Sequence, residues 1–252
     1  MLMGFIEVPN LPQSRVTVAV IDGRANERVV KGLLKHGIEL IRTRKFPKVY
    51  NAISFHPDII MHHLGSEKII YAPGTNTEFL DALKAYGFRL IEGKTVLSDS
   101  YPGNIAYNAA RVGNYAIHNF RYTDPLLKDM LEKTGVEFIN VKQGYSKCSI
   151  CIVDQNSIIT SDKGIEKAAE KKGIEVLLID SDEEILLPGL NTGFIGGSTG
   201  LMDKNLLALT GSVRKLKSAD RIIDFLERKN INIVSLDDNE IIDLGSIIPL
   251  LT

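Results

Sequence analysis

Five times along this chain an amphipathic stretch runs into a glycine or asparagine and then into an apolar run. The clearest copy is Asp162–Asp180, DKGIEKAAEKKGIEVLLID. Aligned on the residue after each predicted helix, the copies fall at Gly37, Gly87, Gly135, Gly173 and Asn230, spaced by 50, 48, 38 and 57 residues. Glycine and asparagine are what a left-handed C′ position accepts, because other side chains clash there. The runs that follow are IELI, FRLI, VEFI, IEVLLI and INIVSL, and apolar runs bounded by turns fit buried strands. Before each stop, apolar residues recur one turn apart, as in Val29/Val30 with Leu33/Leu34 and Leu126/Leu127 with Met130/Leu131. That spacing gives each predicted helix a single apolar stripe. Caps are expected at Asn76 or Thr77, at Asp124 before Pro125, at Ser161 or Asp162, and at Ser218. A helix–strand pair that recurs this regularly is a repeat architecture.

Between the copies lie segments that read strand, turn, strand: His56–Gly74, Gly103–Asn119, Cys148–Ser161 and Gly193–Gly211. The unit is therefore strand–strand–helix–strand. After the fifth unit, Asp243–Leu251 supplies one strand of a hairpin, and Arg15–Gly23 at the other end of the chain supplies its partner. Pairing the two predicts an α/β ring of five pseudo-symmetric units, closed by the N- and C-terminal strands, as one domain over residues 1–252.

Composition narrows the function classes. The formal net charge is −1, without basic or acidic blocks, which argues against nucleic acid as a partner. No apolar run reaches bilayer length, so no membrane span is expected. The first residues, MLMGFIEVPNLPQSR, lack a basic n-region and a long apolar core, and the chain has only two cysteines. Together these read as a cytoplasmic protein with reduced thiols. The oligomeric state is left open.

Five such units in a ring resemble the pentein fold, the five-bladed α/β propeller of guanidino-group-modifying enzymes. Members include arginine deiminase, dimethylargininase, agmatine deiminase and amidinotransferases, and a non-catalytic ribosome anti-association factor. The local matches are chiefly to dimethylargininase: Asn140–Ala169 is similar to its stretch from the catalytic histidine into a helix, and Ile233–Leu251 to its C-terminal segment. The motifs GYSKCSICIVD, SIITSDKGI, GFIGG and DLGSIIPL look most like a bacterial domain-of-unknown-function branch. The resemblance implies a cysteine nucleophile at Ile248 (or Ile247 or Pro249) and a histidine at Asn140 or Gln143. It implies an orienting acid at Asn104, and guanidinium-binding carboxylates near His62–His63. Every one of these places holds a different residue type. Ordinary guanidine hydrolysis or amidino transfer is therefore expected to be absent, with no catalytic residue assigned.

What stands there instead has two readings in each case. Cys148 and Cys151 read as part of a strand, where residues three apart face opposite sides, so a redox pair or a shared metal is not expected. The histidines show no metal-ligand spacing, and no metal or cofactor is expected. The glycines of GFIGGSTG fit neither a phosphate loop nor a dinucleotide fingerprint, and read as close backbone approach. The expected function is a non-catalytic protein binding a small polar ligand at the ring axis, near His62, His63, Asn104, Gln143, Tyr145, Cys148 and Ser246. Two alternatives stand beside it. One is a divergent enzyme with Cys148 as a relocated nucleophile and His62, His63 or His118 as base. The other is a macromolecular partner module.

Overall fold

The computed structural model describes residues 4–252; the first three residues of the predicted lead-in lie outside them. The elements, in chain order, open with β1 (Val18–Ile21), α1 (Glu27–Lys35) and β2 (Glu39–Arg42). Next come α2 (Pro57–Ile60), β3 (Met61–Gly65), β4 (Lys68–Tyr71), α3 (Thr77–Ala85) and β5 (Arg89–Glu92). The third group is β6 (Ala110–Val112), β7 (Tyr115–His118), α4 (Pro125–Lys133) and β8 (Glu137–Asn140). The fourth is α5 (Ser146–Ser149), β9 (Cys151–Asp154), β10 (Ser157–Thr160), α6 (Lys163–Glu170) and β11 (Glu175–Leu178). The last is β12 (Ile185–Leu186), β13 (Thr199–Asp203), β14 (Leu206–Leu209), α7 (Ala219–Arg228), β15 (Asn232–Ser235), β16 (Ile241–Ile242) and β17 (Ile248–Leu251).

These strands form several small sheets. Five have three strands each, ordered β17–β1–β2, β3–β4–β5, β6–β7–β8, β9–β10–β11 and β13–β14–β15. In every one the middle strand is antiparallel to one neighbour and parallel to the other. The parallel partner always follows a helix, which is the crossover that parallel pairing requires. The first and last strands pair antiparallel, Val20 opposite Ile248, as the unmatched hairpin halves predict. The lead-in continues this sheet: Gly4 N donates to Thr252 O at 2.9 Å and Ile6 N to Leu250 O at 3.1 Å. A sixth, two-stranded sheet, β12 with β16, has no counterpart in the sequence repeat. No helix among the described residues is long and apolar enough to cross a membrane.

The stops behave as their residue types require. Gly37, Gly87, Gly135, Gly173 and Asn230 all have positive φ, between 56° and 89°. Asn26, Asn76, Asp124 and Asp162 each cap the following helix through a side-chain oxygen. Ser218 stands at the N-cap of α7 but makes no cap bond; its hydroxyl is taken up by Asp180. Asp124 has a double role. Oδ1 accepts from Leu126 N and Leu127 N, both at 3.0 Å, while Oδ2 accepts from Lys94 N at 2.8 Å and Thr95 N at 2.6 Å. Asp124→Ala removes a cap and strips two loop amides at once. A loss of about 2–3 kcal/mol in urea unfolding is expected, and a loss below about 0.5 kcal/mol would show that the loop amides find other partners.

Burial is graded across each sheet. Strands β3, β6 and β17 are buried throughout, whereas β2, β5, β8, β11 and β15 are partly exposed. The apolar core falls into three clusters beneath the helices, anchored by Phe225 and Ile222, by Phe79 and Leu83, and by Val29 and Leu33.

Two local expectations need correction. Cys148 does not lie on a strand: Ser146–Ser149 is a helical turn and the strand begins at Cys151. Likewise His56–Ile60 is not strand, because Pro57 fixes a helix-compatible φ and opens the turn α2.

Candidate functional site

The segments just before the strand that pairs antiparallel in each sheet converge. His56 and Asp58 precede β3, Asn104 and Asn108 precede β6, Lys147 and Cys148 precede β9, Gly196 and Gly197 precede β13, and Asp243 and Ser246 precede β17. The short helical turns α2 and α5 put Asp58 and Cys148 at equivalent places, each three residues before its strand.

Cys148 Sγ donates to Asp58 Oδ2 at 3.1 Å and receives Asn108 Nδ2 at 3.3 Å. Asn108 also ties the two turns together: Nδ2 donates to Asp58 O at 3.0 Å, and Oδ1 accepts from Lys147 N at 2.9 Å. Lys147 Nζ donates to Ser246 Oγ at 2.8 Å, and Ser246 Oγ lies 3.0 Å from both Asp58 Oδ2 and Gly196 O. The lysine therefore reaches Asp58 through a hydroxyl. Ser246 sits at φ 76°, an uncommon conformation for a residue with a side chain, which aims its hydroxyl inward.

His56 stands between two carboxylates, with Nε2 3.8 Å from Asp22 Oδ2 and Nδ1 3.9 Å from Asp243 Oδ1. These separations are too long for hydrogen bonds, and both ring nitrogens are buried without a partner, as is Asp58 Oδ1. Asp22 is held by Arg24, whose Nη2 is 2.8 Å from Oδ2 and whose guanidinium lies over Phe55. Asp243 accepts from Phe194 N at 2.9 Å and Gly245 N at 3.0 Å. The close packing depends on missing side chains: a β-carbon on Gly197 would collide with the Asp243 carboxylate, and one on Gly245 with His56.

Burial sets the electrostatics. It pushes the Cys148 thiol well above its ordinary range, and the charges of Asp58 and Asp243 push the same way. The thiol is therefore protonated at rest. Burial also raises Asp243, with Asp58 adding to the effect, and lowers Lys147, with Asp58 opposing. One sulfur, one imidazole and one carboxylate, from Cys148, His56 and Asp58, have ligating atoms within 4.8 Å of one another. A small cation could be held there.

The sequence-predicted residues divide into three groups. Cys148 and Ser246 belong to the cluster just described. Asn104, Gln143 and Tyr145 form a second group. Tyr145 Oη donates to Asn104 Oδ1 at 2.9 Å and lies 3.2 Å from Tyr50 Oη, and Gln143 Oε1 accepts from Tyr145 N at 3.0 Å. Gln143 Nε2 is turned away, onto the helix cap Asp162. Tyr50 and Tyr145 are half-buried, and burial raises both phenols above their ordinary range. The histidine pair parts company. Both line a cavity of about 20 Å³ with Asp58, Lys147 and Tyr107, but His62 Nε2 is buried without a partner, whereas His63 Nε2 meets Ser66 O at 2.9 Å, edge-on to Phe88. Burial lowers them to about 3 and about 4, so both rings are neutral. His118 is fixed by Thr123 Oγ1 at 2.6 Å and Gly144 O at 2.9 Å, which leaves neither nitrogen free to act as a base.

His56, Asp58, Asn108, Lys147 and Asp243 were not singled out from the sequence. The repeat carried the signal, since Asp58 and Cys148 hold the same offset from their strands. The expected absence of catalysis is not shown. A thiol, an imidazole and carboxylates do come together, supplied by other positions than those the resemblance implies, so loss of catalysis does not follow from the substitutions at Asn104, Gln143 and Ile248.

Comparison with known proteins agrees with this architecture. Among solved structures, the chain superposes on SxtG, an amidinotransferase of Microseira wollei from the saxitoxin pathway. The TM-score is 0.59 at 9% identity, covering 92% of this chain and 91% of that one. It superposes on DDAH from Pseudomonas aeruginosa in complex with citrulline with a TM-score of 0.57 at 11% identity, covering 88% and 92%. For the inosamine-phosphate amidinotransferase of Streptomyces griseus the TM-score is 0.56 at 12% identity, covering 93% and 92%. At such identities the likeness establishes the pentein fold alone. No curated protein matches the sequence at a significant level. A family model described as "Family of unknown function (DUF6873)" matches residues 20–248, nearly the whole chain, and the protein belongs to that family.

Proposed function

We propose that the five three-stranded sheets are blades of one ring-shaped domain spanning the chain, and that the ring binds a small cationic ligand at its axis, between Asp58, Asp243 and the thiol of Cys148. The graded burial supports the ring, as do the β17–β1 pairing and the packing of β13 against both β9 and β17. The observation that carries the ligand reading is the group of buried polar atoms left without partners beside Asp58. Asp58 Oδ1 has no partner and both His56 nitrogens have none, while Arg24 is committed to Asp22 and Lys147 reaches Asp58 only through Ser246. Buried carboxylates in that state favour a bound cation. An amidinium or alkylammonium suits the site, and the fold neighbours named as amidinotransferases and agmatine deiminase handle groups of that kind. Two free, buried thiols fit a reducing compartment such as the cytoplasm.

A second reading is favoured by one contact. Cys148 Sγ already donates to Asp58 Oδ2, so the thiol has an acceptor for its proton and a bound cation would lower its pKa. Cys148 is then a nucleophile relocated from the last strand to α5.

Thermal unfolding with agmatine and simple alkylguanidines tests both readings. Binding at a hundredfold excess over Kd stabilises by about 2.7 kcal/mol, roughly 5–10 °C for a chain of this size. Asp58→Asn should abolish the shift. No shift with any amidinium or ammonium would sink the ligand reading. Peptide-resolved iodoacetamide labelling separates the second reading: Cys148 alkylates slowly in the free protein, and the nucleophile assignment requires the bound cation to accelerate it.

A further inference from the structure

Strand β6 carries an arginine between two core residues. Ala110 and Val112 are fully buried, and Arg111 between them is only 6% exposed. A guanidinium taken out of water ordinarily finds a carboxylate, because burying an unpaired charge is costly. Arg111 has none among the described residues. Nη2 donates to Gly113 O at 3.4 Å, and Nε and Nη1 are buried without any partner. The titratable groups that feel its charge are His62 and His63, which are neutral and give it no counter-charge. Burial lowers the guanidinium to about 10, so it stays charged at neutral pH.

The same arginine lines a pocket of about 660 Å³ between the β3–β4 hairpin and the β6–β7 hairpin, closed by the end of α4 and the β9–β10 turn. That volume lies in the range of small-molecule sites, roughly 300–1,000 Å³. Its wall holds two further cations, Lys68 and Lys133, against a single carboxylate, Glu7. Lys133 is paired with Asp129 at 2.7 Å, which leaves Lys68 for a ligand. Gly113, where Nη2 is anchored, also faces the pocket.

We propose that this pocket binds a small molecule through an oxyanion, a phosphate or a carboxylate, seated against the Arg111 guanidinium with Lys68 at the rim. The guanidinium supplies a fixed positive charge at the wall for such a group. The pocket shares no residue with the His56–Asp58–Cys148 cluster, so the inference is independent of the axial reading.

Inorganic phosphate and malonate are the probes, titrated into the full-length protein and followed by calorimetry and thermal unfolding, with sodium chloride at equal ionic strength as control. Binding to the wild type is expected, weakened at least about tenfold by Arg111→Met. Because Arg111→Met alters a buried position, Lys68→Ala at the exposed rim provides a second variant, with an expected loss of about threefold. Glu7→Gln should tighten binding by removing the competing carboxylate. Phosphate against malonate distinguishes which oxyanion is preferred. Two results would overturn the proposal. One is no response to either anion beyond the salt control. The other is a Glu7→Gln variant destabilised as much as Arg111→Met, which would make Glu7 the in-chain counter-ion.

Discussion

Lowering the pH from 7 to 5 is expected to cost this protein about 6 kcal/mol of folding stability, from three histidines alone. Burial holds His62 at about 3, and His63 and His118 at about 4, against an ordinary value of about 6.5 in the unfolded chain. The folded rings stay neutral while the unfolded ones take up protons. The stability they contribute is thus fully present above pH 6.5 and is lost as the pH falls toward 4. Each ring contributes about 2 kcal/mol by pH 5, with a limiting slope of about 1.4 kcal/mol per pH unit. Asp243, raised by burial, acts in the opposite sense at the acid end. Because domains are stable by only about 5–15 kcal/mol in total, acid unfolding should begin near pH 5. Urea midpoints at pH 7, 6 and 5 measure the effect, and His118→Gln should remove about one proton from the slope. A midpoint that does not move between pH 7 and 5 would mean that the buried rings find acceptors which keep them charged.

Lys147→Met should be the most damaging single change in the cluster around Cys148. Lys147 is 7% exposed, and its ammonium is the cation joined to Asp58 through Ser246. Removing it leaves a buried carboxylate with no counter-charge, a defect that costs about 3–5 kcal/mol when one partner of a buried pair is deleted. Asp58→Asn keeps an acceptor for Cys148 and Ser246 while removing the charge. The double variant should therefore be less destabilised than the two single variants taken together, by about 1–3 kcal/mol of coupling. Urea unfolding of all four proteins gives that energy directly. Additive losses would mean that Lys147 and Asp58 do not share their charges.

The local rules written in the sequence were strong where one residue type decides one backbone conformation. Gly87 or Asn230 after a helix leaves few alternatives to a left-handed stop, and Asp124 before Pro125 makes a helix start. The turns α2 and α5 were harder to see, because four-residue helices leave no periodicity. They nevertheless decide the site, since they rotate Asp58 and Cys148 toward each other.

The sequence by itself determined the repeat, the helix stops and caps, the hairpins and the pairing of the two chain ends, because each follows from contacts local to a unit or from one unmatched strand. Only the tertiary structure decided that His56, Asp58, Asn108, Lys147, Cys148, Asp243 and Ser246 meet. They come from segments far apart in the chain, and each segment contributes one or two polar residues that look unremarkable alone. Their proximity exists only when the sheets bring the segments before their buried strands to the same end, and burial there raises Cys148 and Asp243 and lowers Lys147.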